Sequence, residues 1–467
     1  MSEQTRQQPL APVPGRRTFL IRRRLILLVG LAFLLVAASV GLLTPLIPSL
    51  FRTTGASPSL ASITNIAVPA MFGIDAQNTR VVPDEQRLTY ANVSHLVADW
   101  TSLPTGGSIF SSPVVANGVV YVGSFDGRLY AFDAAGCGQA RCAPLWMSAP
   151  TGDRIFATPA VANGVVYIGS YDRKLYTFRA DGCGAFTCSP LWVSTPLGDA
   201  IDSSPTIANG TVYLGADDGK LYAFQAAGCG RTTCQPLWTT IASRPAVVSP
   251  PAVADGLVYM GTYDPVSGAG SLYAFHAGGC GNPACSPLWS AIPGIYDLGY
   301  NAAPALSNGI VYAASLDGTL KAFNAKGCGR ATCAPLWSAS AGDFIESSPA
   351  VTGWVVYLGS WDHRVYAFNA AGCGSPVCQP LWVSTPAGSI LESSPTVAGD
   401  VIYIGSADGS LYAFDAAGCS DPPCAPLWVS PPLRDAIYSS PAVANGVVYI
   451  ASLDHSLYAF HLPGATP

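Results

Sequence analysis

The sequence predicts an all-β fold, an eight-bladed β-propeller of four-stranded antiparallel blades whose N-terminal strand closes the last blade. Three observations predict it. A unit of roughly 46 residues recurs eight times, both faces of its central strands are apolar, and one copy is split between the two ends of the repeating region. Composition agrees: 49% of the 467 residues are hydrophobic and only 11% charged, while 48 Gly and 39 Pro disfavour a helical bundle.

The unit reads clearly in Ser111-Ser112-Pro113-Val114-Val115-Ala116-Asn117-Gly118-Val119-Val120-Tyr121, then Leu129-Tyr130-Ala131-Phe132, then Leu145-Trp146. Its Pro recurs as Pro159, Pro205, Pro251, Pro304, Pro349, Pro395 and Pro441. Asn117-Gly118 and Asp126-Gly127 are two hairpin signals of the type I′ kind, so four strands are expected near 112–116, 119–124, 128–133 and 144–148. The Asp of the second turn recurs in every unit, and its expected role is to tolerate the left-handed conformation and to hydrogen-bond its own backbone. Val119 and Tyr121 face one way and Val120 and Val122 the other, so each sheet must be sandwiched between two neighbours. A ring satisfies this; a linear solenoid would need polar caps.

The termini favour the ring. Eight Trp occupy one position of the repeat: Trp100, Trp146, Trp192, Trp238, Trp289, Trp337, Trp382 and Trp428. Trp100 precedes the first Pro unit, whereas the last unit stops at Phe460 with no Trp strand after it. The strand around Trp100 is therefore expected to pair with the final hairpin.

Fourteen cysteines fall in seven C-x4-C pairs between third and fourth strands: Cys137/Cys142, Cys183/Cys188, Cys229/Cys234, Cys280/Cys285, Cys328/Cys333, Cys373/Cys378 and Cys419/Cys424. They read as structural disulfides clamping hairpin tips. A metal would need two further ligands per pair, and no His recurs beside them.

Upstream, Arg22, Arg23 and Arg24 precede an uncharged run from Leu25 to Leu43, long enough as a helix for the hydrocarbon core. The reading is a basic cytoplasmic tail at 1–24, a transmembrane anchor or signal segment at 25–47, a linker at 48–70 and the propeller at 71–467. The positive-inside rule puts the propeller on the extracytoplasmic side of the cell membrane, single-pass if the segment is retained. Arg16-Arg17-Thr18-Phe19-Leu20 resembles a twin-arginine export signal, which would be cleaved. Residues 1–52 carry seven Arg against one Glu, so the acidic excess lies in the body, which excludes nucleic acid as a partner.

Leu129-Tyr130-Ala131-Phe132-Asp133-Ala134-Ala135-Gly136 followed by Leu145-Trp146 resembles the tryptophan-docking repeat of the pyrroloquinoline quinone (PQQ) propellers. Phe72-Gly73-Ile74-Asp75-Ala76-Gln77-Asn78-Thr79-Arg80, with Asn92-Val93-Ser94 and Trp100, is similar to the opening segment of quinoprotein alcohol dehydrogenases. The resemblance implies the fold, and a function drawn from dehydrogenases, receptor-like sensor domains or the scaffold of outer-membrane-protein assembly. It departs from the enzymes in one respect: they carry a vicinal disulfide over the quinone, and no two Cys are neighbours here.

No catalytic motif occurs, and no catalysis is expected: His276, His363 and His455 lie in or beside the hairpins and His95 and His461 near the ring-closing ends, where a surface role is expected. Variation among repeats is more telling, because what the fold demands should recur and what a ligand demands need not. Three residues before the unit's Pro stand Phe110, Phe156, Asp202, Val248, Asn301, Glu346, Glu392 and Tyr438. This column is expected to ring one channel mouth, making Phe110, Phe156, Asp202, Asn301, Glu346, Glu392 and Tyr438 a candidate ligand- or partner-binding rim. Arg154, Arg244 and Arg434 could pair with its acids, and Trp354 or Trp361 could plug the channel. The expected function is a membrane-anchored binding or scaffolding module with a protein or glycan partner and no cofactor. The alternative is a PQQ- and calcium-dependent dehydrogenase, with Ca²⁺ on Glu346, Glu392 or Asn301 and Asp202 as base. A third possibility is sensing of a sugar or cell-wall fragment.

Overall fold

The computed structural model describes residues 70–241, 247–292, 298–389 and 391–464. The expected tail and anchor, and Arg244, lie outside them. Among the described residues no helix is long and apolar enough to cross a membrane.

Eight sheets form the eight blades. In blade 1 the strands are Val114–Ala116, Val119–Gly123, Leu129–Asp133 and Trp146–Ser148, each antiparallel to the one before. The first lines the central channel and the last lies at the rim. Ring closure is as the sequence predicts: Val97–Ser102 pairs with Leu457–His461, placing Trp100 in blade 8. Eight hydrophobic clusters occupy the eight seams, including the one between blades 8 and 1, which excludes an open solenoid.

Asn117 and Gly118 both have positive φ, as a type I′ turn requires. The second hairpin differs from expectation. There the left-handed residue is the one after the Asp, namely Gly127, Arg173, His363 or His455 in different blades. The other half of the expectation holds, since the Asp carboxylate hydrogen-bonds its own backbone two residues on. Asp126 accepts from the Arg128 N–H and the Tyr130 hydroxyl, and the same Tyr oxygen accepts from the Gly106 N–H of the incoming connection. In blade 5 Lys321 takes the place of the Tyr, and Asp264 in blade 4 opens a longer loop.

All seven C-x4-C pairs are disulfides, as expected, and the two cysteines of each pair differ in burial. Only the first Cys of each pair is exposed. The second, as Cys142, Cys188, Cys234, Cys285, Cys333, Cys378 or Cys424, is buried, and each belongs to the hydrophobic cluster of a different seam. The physical reason is strand pairing. The residues ending at Cys142, Cys188, Cys234, Cys285, Cys333 and Cys378 form short strands parallel to the outer strand of the preceding blade, as Thr187–Cys188 does along Met147–Ser148. Cys424 makes the equivalent single bridge to Ser384. Pairing across the seam turns that sulfur into the seam, so the disulfide ties a surface loop to a core residue, and most blades have five strands where four were expected.

Each loop also lays a glycine with positive φ against the preceding blade's Trp. A Cβ on Gly136 would come within 2.5 Å of Trp100. A third tie is the second-strand Tyr, whose hydroxyl donates to an Ala carbonyl of the next blade: Tyr121 to Ala180 (2.8 Å), Tyr312 to Ala370 (2.9 Å), Tyr449 to Ala134 (2.8 Å).

The described chain begins at the end of the expected linker. Ala70 pairs with Val161 in blade 2, and the chain then crosses the channel to run Val81–Val82 parallel to Thr396–Ala398 of blade 7. This segment is the plug. Trp354 is 82% exposed, and Trp361 packs edge-on against Phe344.

Candidate functional site

With one end of the channel crossed by residues 70–82, the other end is a blind mouth. The innermost strand of every blade begins there, after the sequence Ser-Ser-Pro or a variant of it. The second of these residues builds a girdle. The N–H of Ser112 donates to Thr158 Oγ1 (3.0 Å), that of Thr158 to Ser204 Oγ (2.9 Å), and so on through Ser348, Ser394 and Ser440 back to Ser112. The girdle is interrupted where Pro250 and Ala303 replace the hydroxyl residue, since neither side chain can accept.

Above the girdle, Phe110, Phe156, Asn301, Glu346, Glu392 and Tyr438 line one cavity of about 160 Å³ floored by Phe72. Six of the seven rim residues read from the sequence are thus brought together. Asp202 stands beside them, accepting from the Tyr171 hydroxyl at 2.8 Å. Val248, the apolar member of the column, is buried and packs on Gly215 instead.

The mouth is two-sided. Tyr438, Phe110 and Phe156 form a continuous arc, with centroids 5.7 Å and 4.8 Å apart. Phe125 joins it at 4.5 Å from both Phe110 and Phe156, and Tyr171 stacks on Phe156 at 5.2 Å. Arg154 lays its guanidinium over Tyr171 at 4.3 Å and within 5.6 Å of Phe125 and Phe156. It stacks on the arc instead of pairing with the acids of the column, while Arg434 is exposed on the connection into blade 8. Opposite stand Asn301, Glu346 and Glu392, with Asp202 and Asp217 in blade 3.

These charges feel one another. Asp217 is pushed up to about 8 by burial first and then by Asp202, Asp199 and Asp218. Burial, with Glu392, Asp435 and Glu346 adding, pushes the Tyr438 phenol up to about 12. The mouth can therefore receive a cation: it presents ring faces on one side and carboxylates on the other.

Phe125, Tyr171 and Asp217 are site residues that the sequence reading missed. They occupy one position, immediately before the turn Asp, with Leu316, Trp361, Ala407 and Leu453 in other blades. Variation down this second column is the same signal that marked the first. It was hidden because the position falls inside an otherwise uniform turn.

The cystines all lie at the outer seams, away from the channel, and among the described residues no three His, Cys, Asp or Glu side chains cluster so as to hold a metal ion. A family model described as outer membrane protein assembly factor BamB matches residues 100–182 and 282–465, more than half of the chain. No curated protein sequence matches. Among solved structures, BamB from Moraxella catarrhalis superposes with a TM-score of 0.58 at 17% identity, over 79% of this chain and 98% of that one. Quinohemoprotein alcohol dehydrogenase from Comamonas testosteroni gives 0.65 at 15% identity, over 86% and 81%. The computationally designed Ika8 protein gives 0.61 at 16%, over 78% and 99%. At such identities the likeness shows the fold.

Proposed function

We propose a binding or scaffolding role for this chain, which belongs to the PQQ-like propeller family of the outer membrane protein assembly factor BamB. In this reading the propeller stands outside the cytoplasmic membrane, tethered by the 25–47 segment, and its channel mouth takes a cationic group of a protein or glycan partner. The observation that carries it is the division of the mouth. Five aromatic rings on blades 8, 1 and 2 face carboxylates on blades 3, 6 and 7, and the Arg154 guanidinium already lies on those rings. A cation held so, partly desolvated, gains roughly 1–2 kcal/mol from the ring faces. Seven disulfides support an oxidising compartment.

The quinone fits this cavity poorly. PQQ is a flat tricarboxylate of drug-like size, and here it would meet Glu346 and Glu392 in a space of about 160 Å³, below the roughly 300 Å³ that ligands of that size need. No cysteine pair is at hand to cover it. Titration of the full chain with PQQ and Ca²⁺ tests the choice. The binding-module reading expects no saturable uptake and no dye-linked alcohol oxidation; a stoichiometric quinone absorption band with turnover would replace it by the dehydrogenase.

A further inference from the structure

The plug grips the ring through one repeated contact. In five blades the residue two positions after the unit's Pro turns its N–H into the channel and donates to a carbonyl of the segment. Val161 donates to Ala70 (2.6 Å), Val253 to Ala76 (2.6 Å), Leu306 to Gln77 (2.9 Å), Val351 to Thr79 (2.8 Å) and Val397 to Arg80 (2.9 Å). These residues sit at non-hydrogen-bonded pairs of their hairpins, so the N–H points away from its own sheet and needs a partner from the channel.

Val115 in blade 1 and Val443 in blade 8 hold the same position, opposite Val120 and Val448. Among the described residues no carbonyl of the plug meets them. Both line a cavity of about 240 Å³ that lies deeper along the inner strands than the mouth, with Phe72 bordering the two spaces. Met71, Ile74 and Val82 give it apolar walls, and Arg80 lines it as well.

Arg80 is 3% exposed. Its Nε donates to the Pro395 carbonyl at 2.9 Å and its guanidinium lies 4.5 Å over the Phe72 ring, but its Nη1 has no partner among the described residues. The nearest acid on the segment, Asp75, is engaged by the Thr79 N–H at 3.0 Å and by the Thr79 hydroxyl. Burial holds the Arg80 guanidinium well down, at about 9, with Asp75 opposing. Among the described residues, a buried guanidinium whose Nη1 has no partner lies in one cavity with two backbone N–H groups that no plug carbonyl meets, which makes a site for oxygen acceptors carrying negative charge.

We infer that this inner cavity binds a small monocarboxylate, its oxygens on the Arg80 guanidinium and the Val115 and Val443 N–H groups, its short apolar tail against Met71, Ile74 and Val82. The site is separate from the mouth and opposite to it in charge preference.

The test is titration of the full chain with butyrate and, in parallel, with neutral butyramide, read by calorimetry and ligand-observed NMR. Saturable butyrate binding at one site, roughly tenfold or more tighter than butyramide, is expected, with loss of that preference in Arg80→Gln. Should Arg80→Gln loosen the plug, Ala442→Leu gives a second route. It fills the cavity from blade 8, leaves Arg80 and its Pro395 bond in place, and should abolish butyrate binding with an unchanged circular dichroism spectrum. Equal affinity for acid and amide, butyrate binding that survives Ala442→Leu, or no saturable binding would each overturn the inference.

Discussion

The seams between blades and the mouth of the channel are built from the same eight repeats under opposite rules. At seven seams the three ties recur: Tyr hydroxyl to Ala carbonyl, Trp beneath Gly, and the cystine loop on the neighbour's outer strand. At the mouth the eight blades contribute six different kinds of side chain, Phe and Glu each occurring twice. The eighth seam, between blades 7 and 8, shows what happens when repetition fails. Blade 8 has no cystine loop among the described residues, the Tyr403 hydroxyl is buried without a partner among them, and Trp428 is half-buried with its indole N–H on the Leu96 carbonyl. Leu88, Val93 and Leu96 of the amino-terminal segment fill the space instead. Uniform positions hold the ring; variable ones are free to hold something else.

The comparison can be broken most forcefully at the tryptophans. Trp100→Ala removes a buried ring at a regular seam and should cost about 3–5 kcal/mol in chemical denaturation. Trp428→Ala, at the irregular one, should cost distinctly less, and equal losses would erase the distinction. Next in size, replacing one cystine loop pair, Cys373→Ser with Cys378→Ser, should cost about 2 kcal/mol by the chain-entropy estimate for so short a loop. The hydroxyls sharpen the contrast further. Tyr312→Phe leaves the Ala370 carbonyl without its donor and should cost about 1 kcal/mol, while Tyr403→Phe removes an orphan and should be neutral or slightly stabilising. The smallest stability effect is expected at the mouth, where Glu346→Gln with Glu392→Gln should change unfolding free energy by no more than about 0.5 kcal/mol.

Much of this was legible because repeats advertise what the fold requires. The eight Trp and the Pro of each unit marked blade number and closure, and the column from Phe110 to Tyr438 lines a cavity. What escaped is aperiodic or concealed. The plug from Ala70 to Val82 contacts five blades in an order no repeat encodes, through backbone carbonyls that any residue supplies. The parallel caps escaped because a C-x4-C pair reads as a local clasp. Nothing in that spacing says that Cys142 or Cys333 is a core residue, since the strand register that buries it belongs to the neighbouring blade. The turn Asp was assigned the conformation that its successor adopts, and Phe125, Tyr171 and Asp217 were hidden beside it.

The claim that variable residues at the mouth form a cation site is tested most directly by titrating the full chain with butylammonium against uncharged butanol. The account predicts saturable binding of the ammonium alone, weakened roughly tenfold or more when Glu346→Gln and Glu392→Gln are combined, at unchanged stability. Equal binding of ammonium and alcohol, or an affinity indifferent to the double substitution, would contradict it.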